Sequence, residues 1–100
     1  MARLDHDGLS AAVAAAVGAS PDTSGTADLV SERGFIVVAA EVGDLKSAFK
    51  RAKKIDGYRW VAINREDLFG ANPLSIGSKV GILDANGRVL KNADSPRKKI

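Results

Sequence analysis

Few side chains in this chain could do chemistry, and their spacing works against most of it. His6 is the only histidine. Imidazole acid–base catalysis needs a partner held within hydrogen-bond reach. Near a chain end nothing in the local sequence holds one, so His6 reads as a surface residue. Glu66 and Asp67 are adjacent. A strand points neighbours to opposite faces and a helix sets them about 100° apart, so these two do not form a paired-carboxylate site. They read as caps for the turn that follows.

Two acidic stretches, Asp5-His6-Asp7-Gly8 and Asp84-Ala85-Asn86-Gly87, each carry part of a calcium-ligand ladder. Neither has the glutamate that completes the shell, and the second is better explained as a turn. The run from Gly70 ends Gly77-Ser78-Lys79, whereas a phosphate loop requires Gly-Lys-Ser/Thr leading into a helix. Cysteine is absent, which excludes disulfides and thiolate metal sites. The expectation is therefore no catalytic residue, no metal, no cofactor and no small-molecule substrate.

Charge is the positive signal. Residues 1–34 carry two basic and five acidic groups, and residues 35–100 carry thirteen and seven, for a net charge of +3. Lys46, Lys50, Lys53 and Lys54 fall on one helical face with Arg51 at its flank, and no acid is interleaved among them. Like charges four residues apart repel by a few tenths of a kcal/mol each unless an anion relieves them. The C-terminal Ser95-Pro96-Arg97-Lys98-Lys99 adds Arg97, Lys98 and Lys99. Its first four residues resemble the Ser-Pro-basic-basic tetrapeptides of chromatin tails, which implies only a slightly greater expectation of nucleic-acid contact. These eight cations are the candidate polyanion-binding residues. Trp60 and Tyr58, two apart on one strand, would stack on bases if exposed and serve as core aromatics if buried. The core role is the one expected.

The elements that must position these groups follow from periodicity. Leu45, Ala48, Phe49, Ala52 and Ile55 predict an amphipathic helix over Leu45–Ile55, with Asp44 as cap and Gly57 as its end. Phe35–Ala40 is a continuous apolar run and the expected most buried strand. Tyr58–Asn64 is a second strand, and Lys79–Asp84 with Arg88–Lys91 form a hairpin around Gly87. Arg65–Ser78 reads as irregular, broken by Gly70, Asn72-Pro73 and Gly77. Residues 27–33 read equally as two helical turns or an edge strand.

At the N-terminus, Leu9, Val13, Ala16 and Val17 give a thin helical stripe capped by Asp7 and stopped by Gly18. Residues 19–25 are nearly all turn formers. The expected fold is α+β, a three- to four-stranded antiparallel or mixed sheet with one main helix packed on it, plus the alanine-rich N-terminal helix. The expected organisation is helix and flexible linker over 1–26, core domain over 27–94 and basic tail over 95–100.

One hundred residues with 45% apolar content support a single small domain, and no apolar run is long enough to span a bilayer. The chain reads as cytoplasmic, or as part of a particle assembled in the cytoplasm, without a membrane partner. The layout points to a non-enzymatic interaction or assembly protein acting through its surface and terminal arms, meeting a protein partner or copies of itself. Bacterial or bacteriophage structural components and small inhibitors are built this way. A sequence-nonspecific nucleic-acid binder using the basic helix and tail is the alternative.

Overall fold

A computed structural model describes residues 3–93. It shows an α+β domain whose three helices and six strands run in the order α1 (His6–Val17), β1 (Ser20–Pro21), β2 (Leu29–Ser31), β3 (Gly34–Ala39), α2 (Leu45–Lys53), β4 (Arg59–Ile63), α3 (Leu68–Ser75), β5 (Gly81–Leu83) and β6 (Val89–Lys91). The strands form one mixed sheet in sequential order from β1 to β6. The β1–β2–β3 meander is antiparallel, β3, β4 and β5 run parallel, and β6 returns antiparallel to β5. Helices α2 and α3 are the two parallel crossovers, as strands joined in parallel require.

Alternation along the strands divides the core in two. Val37, Ala39, Val61, Ile63 and Ile82 face α2 and α3, where Leu45, Ala48, Phe49, Ala52 and Ala71 meet them. Ile36, Val38, Ala40, Trp60, Ala62 and Leu83 point the other way, onto Leu9 and Val13 of α1. The domain thus has three layers, with the sheet in the middle.

Several expectations change on this evidence of packing. The sheet has six strands instead of three or four, because the turn-rich residues 20–21 pair with β2 and residues 27–33 resolve as strand β2. Pro21 sits on the sheet's edge, where its missing N–H costs no ladder bond. The most buried strand is β4, every residue of which is buried, because it lies centrally and both its faces are covered. The first two residues of β3 are only partly buried. The N-terminal helix and linker do not stand apart from the core. Leu9 and Val13 have no exposed surface, so two large residues anchor a helix that is otherwise mostly alanine.

Helix α3 lies in the segment read as irregular. Pro73 is inside it and withholds one helical hydrogen bond, while the three-residue turn Arg65–Asp67 leads the chain in. Caps also differ. Asp5, two residues before Asp7, caps α1 by accepting from Gly8 N at 2.8 Å. The carboxylates of Asp44 and Asp67 make no cap bond to α2 or α3.

Two networks tie the layers together. Arg3 grips the carboxylate of Asp67 with both guanidinium nitrogens at 2.9 and 2.7 Å and also donates to Ala40 O at 2.8 Å. Asn64 donates to Leu4 O and Ala40 O, each at 2.9 Å, and accepts from Leu4 N at 3.1 Å. The chain entering α1 is thereby fastened to the carboxyl ends of β3 and β4. At the other end of the sheet, Gly34 (φ 120°) passes against the Tyr58 backbone so closely that any Cβ there would overlap the carbonyl. Among the described residues no helix is long and apolar enough to cross a membrane.

Candidate interaction surface

The stripe that buries Leu45, Ala48, Phe49 and Ala52 turns the opposite face of α2 to solvent. Lys46, Lys50 and Lys53 follow at i, i+4 and i+7 on that face, with Lys54 at the helix end, and all four are exposed. None of them takes part in an ion pair among the described residues. They line a shallow groove of about 330 Å³ with Phe49 and Leu74. The lysines in the last turn sit where the helix dipole favours cations, but that effect does not reach Lys46 in the first turn.

Helix α3 supplies the other wall. Gly70, Pro73 and Leu74, with Val42, Gly43, Leu45 and Lys46 opposite, line an adjoining hollow of about 310 Å³. Lys46 and Leu74 line both hollows, so the two form one continuous groove between the helices. Beyond it α3 exposes large apolar side chains. Phe69, one turn before Pro73 on α3, is 94% exposed, and Ile76, the residue that follows the helix, is 69% exposed. Val42 adds a third exposed apolar side chain at the groove's end. The arrangement places a row of positive charge beside apolar surface.

Arg51 leaves the lysine row to pair with Asp28 at 3.1 Å and to reach Gly25 O at 3.3 Å. Its donors are occupied across the layer, so it is not part of the basic face. Arg97, Lys98 and Lys99 lie outside the described residues. Sequence reading missed Phe69, Ile76 and the α3 wall, because Gly70, Asn72 and Pro73 mask the helix.

The remaining candidates are accounted for by folding. His6 sits in the first turn of α1, with Nε2 3.9 Å from Asp28 Oδ2. It borders a hollow of about 290 Å³ with Asp28, Asp44, Ser47 and Arg51. Asp28 is already committed there, accepting from Val38 N at 2.7 Å and from Arg51. Asp67 is held by Arg3, and that bond raises the guanidinium's already high affinity for its proton. The Asp84 carboxylate accepts from Asn86 N and Arg88 N, each at 2.9 Å, and Gly87 takes φ 75° in the hairpin turn. Among the described residues no group of acidic or histidine side chains is placed to hold a metal ion. Trp60 is buried and donates to Arg33 O at 2.9 Å, whereas Tyr58 precedes the strand and is exposed.

Comparison with known protein families, with curated proteins and with solved structures found no match.

Proposed function

We propose that this chain is a non-enzymatic interaction or assembly protein whose working surface is the α2–α3 face. The observation that carries the reading is the exposure of Phe69 on α3 and of Ile76 just past its end, beside a helix whose other side is packed into the core. Apolar residues scattered singly on a surface need no explanation, but apolar side chains joined to a groove mark a contact surface. With α1 built into the core, this face takes the role the terminal arms held in the sequence reading. A component of a bacterial or bacteriophage particle, or a small inhibitor held in the cytoplasm, would use such a face.

The test is site-specific. A photo-cross-linking residue at position 69, in the cells that make the protein, should yield adducts with another polypeptide. The same residue at exposed position 86 in the β5–β6 turn should yield none. Equal labelling from both positions, or none from 69, would sink the reading.

Nucleic-acid binding is the second reading, and four exposed lysines without acidic partners support it. It accounts for the α2 wall and leaves the aliphatic residues of the α3 wall in water.

A further inference from the structure

We infer that the groove between α2 and α3 receives an acidic amphipathic helix from another protein, an inference that rests on the interaction reading above. The two walls differ in chemistry. On the α2 side stand Lys46, Lys50 and Lys53, and on the α3 side Gly70, Pro73 and Leu74. An occupant must therefore present carboxylates along one flank and apolar side chains along the next. An amphipathic helix does this with anchors at i, i+3, i+4 and i+7.

The dimensions agree. From Leu45 to Lys53 the α2 wall follows about 13 Å of helix axis at 1.5 Å per residue, the length of between two and three turns of a partner helix. Gly70 removes a side chain from the middle of the apolar wall. Its position is already close to Leu45, where an added Cβ would lie 3.2 Å from Cδ1. The missing side chain lets α3 lie close against Leu45 at the base of the α2 wall.

Charge decides between occupants. A second copy meeting this face through a twofold axis presents the same groove lining, which brings four more lysines and no carboxylate. A duplex would satisfy the lysines but would leave Val42, Pro73 and Ile76 unburied. A carboxylate-bearing helix relieves the Lys46/Lys50 and Lys50/Lys54 repulsions and covers the apolar wall in one contact.

The experiment uses the full chain and fluorescence anisotropy. The probes are a panel of labelled synthetic helices of about 14 residues, with leucine or phenylalanine at i, i+3, i+4 and i+7 and glutamate on one flank. Controls are scrambled peptides of the same composition, an oligoglutamate of equal charge and a duplex DNA. At least one helix of the panel should bind about tenfold or more tightly than its scrambled form. Lys46→Glu/Lys50→Glu in the groove, and Phe69→Ser/Ile76→Ser at the rim that a bound helix would overlap, should each remove that advantage while the circular dichroism spectrum stays native. These residues are exposed, so the fold does not depend on them. Indifference to scrambling, or to the Phe69 and Ile76 changes, would overturn the inference in favour of generic polyanion binding. DNA bound more tightly than every peptide would overturn it in favour of nucleic acid. Self-association lost in the Phe69→Ser/Ile76→Ser variant would make a second copy the occupant. Failure of the whole panel alongside adducts from position 69 would reject the acidic helix and leave the interaction reading standing.

Discussion

Asp22 shows how much one side chain can do in a segment that looks featureless. Its carboxylate accepts from Ser24 Oγ at 2.7 Å, Ser24 N at 3.0 Å and Ala27 N at 2.8 Å, organising the loop between β1 and β2. The Ser24 hydroxyl, then the Ala27 amide, favour the ionised form and hold the Asp22 carboxyl below its ordinary value of 3.8. A depressed folded pKa means that this contribution to stability is present above the unfolded value and is lost as pH falls through the folded one. Denaturation midpoints followed from about pH 5 to about pH 2 should therefore fall less in Asp22→Asn than in the native chain. Parallel decline of the two would show that the loop does not depend on the charge. The turn-forming composition of residues 19–25 is plain in the sequence, and so is the need for Gly87 in the hairpin. The partners of Asp67 and Asn64 are not, because Arg3 lies 64 residues from Asp67 and Leu4 lies 60 residues from Asn64. Local pattern carries no information about such pairs. The same limit explains the Asp5 and Asp7 exchange, since either aspartate satisfies the preference for a helix start.

Elements were legible in proportion to the apolar contrast between their two sides. Helix α2 alternates large apolar residues with lysines, so its start and buried face followed from spacing, although it ends at Lys53, two residues before Ile55. Strands β3 and β4 and the closing hairpin stood out as apolar runs bounded by turn residues. Helix α3 inverts the contrast. Its inward side offers small residues such as Ala71 and Ser75, while Phe69, and Ile76 just past its end, are exposed to water. A stripe calculation therefore finds no amphipathic helix there. Helix α1 was legible as a helix but not as a layer, because alanine dilutes a stripe that rests on Leu9 and Val13. That role has a measurable consequence. Leu9→Ala should destabilise by about 2–5 kcal/mol and Phe49→Ala by about 3–5 kcal/mol, with one cooperative urea transition in both cases. The two substitutions cut opposite sides of the same sheet. A Leu9→Ala midpoint equal to that of the native chain would mean that α1 does not support the core.

Seen whole, the molecule has two unlike outer layers around the sheet. One is α1, whose exposed residues include Ala11, Ala15 and Ala16, and the other is the α2–α3 layer with its lysine row. Four of the ten cations between residues 35 and 93 stand together in that row, a grouping that composition alone located only along the chain. How that charge behaves toward DNA separates the two functional readings. If the four lysines meet a duplex backbone, about four counterions are released, and log affinity should fall against log salt with a slope of about −3.6. Replacing Lys46, Lys50 and Lys54 with glutamine should then flatten the slope to about −0.9, since one lysine remains. The fold should survive, because all three side chains are exposed and outside the buried stripe. Phosphate contacts carry no sequence information, so changing the duplex sequence should leave the affinity alone. An acidic helix as the natural occupant predicts something different. DNA would bind weakly and with that same slope, since lysines attract any polyanion. Phe69→Ser/Ile76→Ser would leave the DNA affinity unchanged while abolishing peptide binding. DNA affinity that falls with the loss of Phe69 would instead make that ring a base-stacking contact and give the face to nucleic acid.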